Sequence, residues 1–423
     1  MTPKRPNIDS QIPKGFELFY NEITQHWALR PVKGFSQKFL NKDTFIPKKP
    51  QQAELFEKTE EVSDKQNKNS NLHNAKREKN DEFYTTLSDI TKELKHYKEH
   101  FKGAVVYCPC DKCFNDGMSN FARYFIGKFH GLGLKKLICT QYNPNYGGHG
   151  TAYVYDFEKH GIQWEYNGEK EDGADIDESD IDTFILKGNG SFDSDECRQI
   201  MNECDIVVTN PPFSLFREFV GQIMDLGKKF LIIGNQNAIS YKEVFSYIQN
   251  NEMWLGYTNP KVFQVPLDKV ENEKTQFMDE DGAVYQKFGN ICWYTNLTHN
   301  KRTEKLYLGK KYSPEKYPTY DNYDAIEVSK VIDIPNDYFG IMGVPVTFLD
   351  KYNPKQFKIV GRPENMDLYG LKTKMYTSQE CKDAQLKILG KTGTYNLNRG
   401  SVLVKDGNLI QTYNRIFIKR IDN

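Results

Sequence analysis

Four consecutive residues, Asn210-Pro211-Pro212-Phe213, have the types and the order that suit chemistry on an amino group. They follow the apolar run DIVVT and precede the helical pattern SLFREFV, at the carboxyl end of a strand, where open α/β sheets bind ligands. The two prolines lack N–H donors, so the backbone at these positions can take part in hydrogen bonds only through its carbonyls, which are acceptors. The Asn210 side-chain oxygen and the Pro211 carbonyl can each accept one amino proton while Phe213 stacks on the attached ring. The alternative is an ordinary strand end and helix start with Phe213 in the core.

Alternating strand and helix patterns surround this corner. Apolar runs of the buried type occur at residues 103–108, 135–140, 182–188, 205–210 and 228–235. Helical patterns separate or follow them in FARYFIGKFHGLG, SDECRQIMNEC, SLFREFVGQIMDL and YKEVFSYIQNN. This alternation predicts an α/β fold with a mostly parallel, doubly wound, Rossmann-like sheet. After about residue 255 the pattern changes to strands and loops rich in Tyr, Pro and Asn.

The organisation of the 423-residue chain predicts four segments. Residues 1–56 have scattered aromatic side chains but no sustained period, and we interpret them as a segment of doubtful order. Residues 57–79 contain almost no apolar side chains, which is typical of a flexible charged linker. Residues 80–255 form the predicted catalytic domain. Residues 256–423 hold the remaining sheet elements and a second region of mixed strand and loop.

The composition and the distribution of charge restrict the cellular location of the protein and the partners that it can bind. No apolar run approaches the roughly 20 residues of a membrane helix, and no apolar stretch follows the N-terminus, so we predict a cytoplasmic protein that does not enter a membrane. The total charge is balanced, yet residues 156–182 carry 11 acidic and 2 basic side chains. We interpret that segment as a solvated excursion, since it lacks the ligand spacing of a calcium loop. Residues 301–423 carry 21 Lys/Arg and 14 Asp/Glu, which permits a polyanionic partner.

Cysteines near residue 110 raise the question of a metal. Cys108, Cys110 and Cys113, together with Cys139 or a histidine, could suggest zinc, but C-x-C-x₂-C is not a paired zinc spacing. We therefore predict free thiols and no metal site.

Five motifs together resemble one enzyme family. They are NDEFYT, VVYCPCDKCFNDGMSNF, GNGSFDS, TNPPFSLFREFV and FLIIGNQNAISYKEVF, and the likeness extends from about Asn80 to beyond the stretch NICWYTNL at residues 290–297. This set resembles the EcoRI-type adenine-specific DNA methyltransferases, which use S-adenosylmethionine. The resemblance implies a methyltransferase sheet, duplex DNA as substrate, a DNA target-recognition region within residues 256–423, and a cognate restriction enzyme as a possible partner.

The resemblance also implies site residues. Asn210, Pro211, Pro212 and Phe213 would be catalytic, acting on an adenine flipped out of the duplex by direct in-line transfer. The cofactor would be bound by Glu82, Phe83, Tyr84, Thr85, Tyr107, Pro109, Asp111, Ser119, Asn120, Phe121 and Asn189. Asp193 is an alternative to Asn189. The sequence departs from the wider methyltransferase pattern because the first strand is not followed by a G-x-G loop.

Other functions stay open at this point. The same corner could methylate adenine in RNA or a glutamine amide in a protein, or the chain could be a non-catalytic binding protein on this fold. A separate pentapeptide, Gln52-Ala53-Glu54-Leu55-Phe56, resembles the peptide by which bacterial proteins bind the sliding clamp. Its residues Gln52, Leu55 and Phe56 predict clamp docking.

Overall fold

A computed structural model of the chain describes residues 16–21, 26–31, 83–113, 118–143, 161–265, 276–279, 282–391, 393 and 395–421. The chain divides into two compact units. The first unit comprises Met1–Ala238 and Thr258–Leu297, and the second comprises Ile239–Tyr257 and Thr298–Asn423. The chain therefore leaves the first unit, returns to it and leaves it again.

The strands in the described residues are β1 Phe16–Asn21, β2 His26–Pro31, β3 Tyr84–Thr85, β4 Val105–Pro109, β5 Lys136–Gln141, β6 Ile162–Tyr166, β7 Asp182–Ile185, β8 Ile206–Thr209, β9 Lys229–Asn235, β10 Trp254–Leu255, β11 Val262–Gln264, β12 Gln276–Met278, β13 Val284–Lys287, β14 Ile291–Thr295, β15 Ile326–Glu327, β16 Met342–Pro345, β17 Phe357–Gly361, β18 Val402–Lys405, β19 Asn408–Gln411 and β20 Arg415–Arg420. The α-helices are α1 Leu87–Leu94, α2 Lys98–Phe101, α3 Asn120–Ile126, α4 Phe129–Leu132, α5 Asp195–Glu203, α6 Phe216–Asp225, α7 Lys242–Gln249 and α8 Ser378–Leu389.

The main sheet of the first unit runs in the order β14-β9-β8-β4-β5-β6-β7. Its central strands β9, β8, β4 and β5 are parallel, whereas β14, β6 and β7 are antiparallel to their neighbours. The central strands are nearly continuous apolar runs because helices cover both of their faces. This sheet confirms the predicted α/β, Rossmann-like class, with a parallel centre and antiparallel edges.

Local sequence signals account for the helices beside the catalytic strands. Ser119 and Ser194 cap α3 and α5 by accepting hydrogen bonds from the backbone N–H groups of Ala122 and Cys197. Gly133 ends α4 in the left-handed conformation, with φ of 64°, which glycine adopts without steric cost. The helical patterns predicted from the sequence are thus confirmed at α3 to α7.

The acid-rich segment contains a buried strand that its composition does not indicate. Residues 162–166, IQWEY, form β6, and Trp164 is 1% exposed. Glu165 is tolerated there because it accepts hydrogen bonds from Lys136 and Gln163, each at 2.8 Å. The interpretation of the whole segment as a solvated excursion is wrong for this strand, whereas most side chains at 167–177 are exposed.

A second sheet in the first unit has the order β12-β13-β11-β3. The short strand β3 pairs with β11, with Thr85 opposite Phe263. Nearby, Glu93 of α1 accepts hydrogen bonds at 2.6 Å from both the backbone N–H and the hydroxyl of Thr258. These contacts explain why residues 258–297 return to the first unit.

The second unit has a sheet in the order β15-β16-β20-β17 and a β18-β19 hairpin. A buried ion pair joins two of its strands, with Arg415 Nη2 lying 2.6 Å from Glu327 Oε1. Arg302 packs between the rings of Trp254 and Tyr352, and burial lowers its pKa to about 10.

The N-terminal part of the chain contains a two-stranded hairpin. Strands β1 and β2 pair as an antiparallel hairpin within the segment predicted to be of doubtful order. Residues 57–79 and the pentapeptide with Gln52, Leu55 and Phe56 lie outside the described residues. None of the helices in the described ranges is long and apolar enough to cross a membrane.

Candidate active site

The Asn-Pro-Pro-Phe corner lies at the carboxyl end of β8, in the parallel part of the main sheet. Thr209, the last residue of β8, is fully buried. A short 3₁₀ turn, Phe213–Leu215, begins at once, and the Pro212 carbonyl accepts a hydrogen bond from the Leu215 N–H at 3.0 Å. Helix α6 then leads away from the sheet. The corner therefore stands at the edge where the other parallel strands also end.

The Asn210 amide is oriented by a distant segment. Its Nδ2 donates to the Phe83 carbonyl at 2.7 Å, which decides the amide orientation because a carbonyl can only accept. Its Oδ1 is buried and has no hydrogen-bond partner among the described residues. A buried acceptor without a donor costs about 1–3 kcal/mol, so it calls for an explanation such as a ligand that supplies the donor. The amide thus presents an acceptor.

Phe213 lies at an aromatic margin of the core. It is partly buried and packs against the core cluster of the first unit, as do Phe83, Met118 and Phe288. The Phe83 and Phe288 rings meet edge to face, with centroids 4.7 Å apart. Phe213 therefore has one side supported by packing and is incompletely covered.

The turn after β4 is tied to both neighbouring strands. The Asp111 backbone N–H donates to the Thr140 carbonyl on β5 at 3.0 Å. On the other side, Thr209 Oγ1 lies 2.6 Å from the Pro109 carbonyl and 2.8 Å from Asp111 Oδ2. Cys110 adopts the left-handed conformation with φ of 66°, which non-glycine residues rarely adopt. Cys110 thus makes a tight turn in a conformation that glycine adopts without steric cost.

Burial changes the acidity of Asp111, whose side chain reaches the interior. The residue is 7% exposed. Burial raises the pKa of its carboxyl to about 7, and hydrogen bonds from Thr209 and Ser119 limit the rise. The carboxyl therefore holds its proton to a much higher pH than an exposed aspartate does.

The start of α3 connects the turn after β4 to β3. Asn120 Nδ2 donates to the Thr85 carbonyl at 2.8 Å. Phe121, 3% exposed, packs edge to face on Trp293 with centroids 6.1 Å apart. Most of the predicted cofactor residues thus belong to one connected set, which comprises β3, the turn after β4 and the start of α3.

Two more buried polar atoms in this set have no hydrogen-bond partner in the part of the chain that is described. They are Thr85 Oγ1 and the indole Nε1 of Trp293. Tyr84, between Phe83 and Thr85, is 55% exposed. Glu82 lies outside the described residues. Together with Asn210 Oδ1, these orphaned atoms supply one donor, one acceptor and one hydroxyl capable of both.

Tyr107 is placed differently from the other predicted cofactor residues. Val106 and Cys108 face the core cluster beneath α1 and α3, and Tyr107 alternates with them. Its hydroxyl shares a 2.7 Å hydrogen bond with Thr140 Oγ1 and lies near Cys197 of α5, and burial raises its pKa well above the usual range. The structure therefore does not bring the Tyr107 hydroxyl to the set around Asn120.

The turn after β7 holds Asn189 against the end of β5. The Asn189 carbonyl accepts from the Asn143 N–H at 2.7 Å, and its Oδ1 accepts from the Ser191 N–H at 3.0 Å. Gly190 has φ of 74°, and a Cβ there would lie 2.2 Å from the Gln141 carbonyl oxygen. Asn189 is thus fixed at the carboxyl edge of the main sheet, and its amide nitrogen can donate to a ligand. Asp193, the alternative candidate, is exposed and accepts a hydrogen bond from Ser191 Oγ at 2.5 Å.

The cysteines near the turn are free thiols. Burial raises the pKa of the Cys108 thiol to about 11 and that of Cys139 well above its usual range. Among the residues that the structure describes, no group of three His, Cys, Asp or Glu side chains could hold a metal ion.

Sequence reasoning missed Thr209 and Trp293. Thr209 reads as the last residue of a buried strand, and Trp293 as one more apolar residue in β14. Only the three-dimensional structure brings the Thr209 hydroxyl to the turn after β4, and it places the Trp293 indole where none of the described residues accepts its proton.

Comparison with known proteins identifies what the chain is similar to. The model of the family described as adenine-specific methyltransferase EcoRI matches residues 71–421. The chain is 45% identical to the type II methyltransferase M.EcoRI of Escherichia coli over 304 residues, 71% of this chain and 91% of that protein. It is 41% identical to M.MpnI of Mycoplasma pneumoniae over 323 residues, covering 74% and 93% of the two chains. It is 38% identical to M.MgeORF184P of Mycoplasma genitalium over 296 residues, covering 68% and 85%. No solved structure matches the chain.

Proposed function

The chain belongs to the family of adenine-specific EcoRI methyltransferases, and we propose that its Asn210-Pro211-Pro212-Phe213 corner performs the methyl transfer. The predicted resemblance is thereby confirmed. The protein is a site-specific DNA methyltransferase that acts on adenine and uses S-adenosylmethionine. RNA adenine, protein glutamine and a purely non-catalytic role are not favoured by these relatives, all of which are named type II methyltransferases.

The orphaned Asn210 oxygen carries this proposal. The adenine amino nitrogen is a weak nucleophile because its lone pair is delocalised into the ring. Accepting one amino proton at Asn210 Oδ1 and the other at the Pro211 carbonyl would localise that lone pair. The hydrogen bond from Nδ2 to Phe83 keeps the oxygen in place before the substrate arrives, so little reorganisation is needed.

Phe213 completes the substrate site in this proposal. The amino nitrogen of a paired adenine is inaccessible, so the base must leave the helix and be held outside it. A partly covered aromatic ring beside Asn210 offers a stacking face. The proton released after transfer passes to water, since no strong base is required.

The set around Thr85 fits the cofactor. S-adenosylmethionine supplies an activated methyl group on a positively charged sulfur. Thr85 Oγ1 and Trp293 Nε1 are buried polar atoms that lack partners among the described residues, as expected where a polar ligand binds. We assign Phe83, Tyr84 and Thr85 and the loop residues Pro109, Ser119, Asn120 and Phe121 to its methionine side, and Asn189 to its adenine. Asp111, predicted as a cofactor ligand, belongs to the same loop but bonds to Thr209, so we assign it to the support of the loop. Glu82 is assigned to the cofactor from the resemblance alone. Tyr107 is not assigned to the cofactor, because its hydroxyl bonds to Thr140 within the sheet.

Duplex DNA is the macromolecular partner in this proposal, and residues 256–423 include its target-recognition region. The excess of 21 Lys/Arg over 14 Asp/Glu in residues 301–423 suits contacts to phosphates. A cognate restriction enzyme is proposed from the type II relatives. Docking on a sliding clamp through Gln52, Leu55 and Phe56 is proposed from the pentapeptide.

Expression in a host without DNA methylation tests the proposal. Single-molecule sequencing of the genomic DNA should find methyladenine at one short motif. The Asn210→Ala variant should leave that motif unmethylated, while Asn202→Ala, which alters an exposed asparagine of α5, should methylate it normally. Unmodified DNA from cells that contain soluble wild-type protein would contradict the assigned substrate, and full methylation by Asn210→Ala would contradict the assigned corner.

A further inference from the structure

The Thr209 hydroxyl at the end of β8 makes two short contacts but has only one proton to donate. Thr209 Oγ1 lies 2.6 Å from the Pro109 carbonyl oxygen and 2.8 Å from Asp111 Oδ2. A threonine hydroxyl has a single proton to donate, and a carbonyl can only accept. If Asp111 were a carboxylate, one of these two contacts would bring two lone-pair oxygens together without a proton between them.

We propose that Asp111 is a neutral carboxylic acid in the free enzyme, that it donates to Thr209, and that this bridge positions Asn210 for methyl transfer. Its proton lies on Oδ2 and points to Thr209 Oγ1, whose own proton points to the Pro109 carbonyl. Each short contact then contains one proton. The bridge spans from the turn after β4 to the residue directly before Asn210.

The surroundings favour the neutral form. Asp111 is 7% exposed, and burial raises the pKa of its carboxyl to about 7 even though hydrogen bonds with Thr209 and Ser119 oppose the rise. The titratable groups that face it are the thiols of Cys108 on β4, Cys113 in the loop and Cys139 on β5, each with a raised pKa, so none supplies a charge. Ser119 at the start of α3 faces it with a hydroxyl.

This inference rests on the proposed function and sharpens it. It makes Asp111 a positioning residue that acts through Thr209, while the loop that contains it faces the cofactor. A carboxylate that bound the cofactor directly would need to be ionised. The two roles therefore predict opposite results when the charge is removed and the hydrogen bond is kept.

The first experiment compares Asp111→Asn with Asp111→Leu in the full chain, on duplex DNA with S-adenosylmethionine. An asparagine amide can donate to Thr209 as the neutral acid does, so Asp111→Asn should keep kcat and cofactor affinity within about threefold of wild type, whereas Asp111→Leu should lose about ten- to a hundredfold in kcat. A tenfold or greater loss of cofactor affinity in Asp111→Asn would overturn the inference in favour of an ionised cofactor ligand.

The pH dependence gives a second readout. In wild type, kcat/KM should fall above about pH 7 as Asp111 loses its proton. This decline should be absent in Asp111→Asn, and an identical decline in both would overturn the inference. Because the folded pKa of about 7 exceeds the ordinary 3.8, the unfolding free energy of wild type should fall from about pH 4 to pH 7 relative to Asp111→Asn.

Thr209 variants keep the test decisive if Asp111→Leu does not fold. Thr209→Ser retains the hydroxyl and should behave as wild type, while the similarly shaped Thr209→Val should reduce kcat with little change in cofactor affinity. Equal kcat for Thr209→Val and wild type would overturn the inference. Failure of the proposed function is distinguishable, because it would appear as wild-type protein that does not methylate duplex DNA at any pH.

Discussion

At the scale of single residues, we propose that the chemistry of this enzyme uses buried polar atoms that have no hydrogen-bond partner among the described residues. The Asn210 amide donates from its nitrogen to the Phe83 carbonyl, and its oxygen has no partner among the described residues. Thr209, its neighbour in sequence, is fully buried and bonds to the turn after β4. Thr209 is therefore held by the fold, while in our proposal the free oxygen of Asn210 binds the substrate.

Phe213→Ala should weaken retention of the flipped adenine. Loss of one stacking surface is worth about 1–3 kcal/mol in single-strand binding, or about five- to 150-fold in affinity for the extrahelical base. Fluorescence of 2-aminopurine at the target position measures this directly. The control is Phe277→Ala, which removes a 42% exposed ring from β12. A base-flipping signal as strong in Phe213→Ala as in the control would remove Phe213 from the substrate site.

At the scale of elements, the proposed site lies at the ends of β3, β4 and β8 and at the start of α3. The sequence predicts the parallel strands well because each is a buried apolar run bounded by turn residues. It does not predict which distant backbone group each side chain meets. Asn210 bonds to Phe83 across 127 positions of sequence, a pairing determined by tertiary packing.

Strand β6, which composition alone assigns to a solvated segment, is a second case in which tertiary contacts determine the structure. Strand β6 lies within the most acidic part of the chain, and only its neighbours Lys136 and Gln163 make the buried Glu165 acceptable. Composition averaged over the segment hides this local pairing. Similarly, the return of residues 258–297 to the first unit depends on contacts such as Thr258 with Glu93, which have no signal in sequence.

The turn after β4 supplies a prediction at this scale. A non-glycine residue in the left-handed conformation costs about 1–2 kcal/mol, so Cys110→Gly should unfold at a urea concentration equal to or above that of wild type. Cys110→Val should lose about 2 kcal/mol or more, because a β-branched side chain fits this conformation poorly. A valine variant as stable as wild type in urea unfolding would show that the turn adopts another conformation.

At the scale of the whole molecule, the chain combines a methyltransferase sheet in the first unit with a second unit of separate sheets. The family match over residues 71–421 spans both units, so both belong to the enzyme. The pentapeptide at residues 52–56 precedes the matched range. It is therefore a candidate addition to the enzyme rather than part of its catalytic machinery.

The clamp proposal is tested by a binding experiment on the full chain. Purified bacterial sliding clamp should be retained by wild type, because a Leu-Phe pair can fill an apolar groove at small ordering cost. The double variant Leu55→Ala, Phe56→Ala should lose this binding while methylating short duplexes at the wild-type rate. Absence of binding by wild type would dispose of the docking proposal without affecting the catalytic one.

The central claim is that the Asn210 amide promotes the methyl-transfer step itself. Its most direct test is the single-turnover rate of methylation, measured by rapid quench with saturating S-adenosylmethionine and duplex DNA that contains the recognised motif. Asn210→Ala should slow this step by about a hundredfold or more, as when one preorganised transition-state contact is removed elsewhere. Its cofactor dissociation constant should stay within about threefold of wild type. A single-turnover rate equal to that of Asn202→Ala would contradict the account.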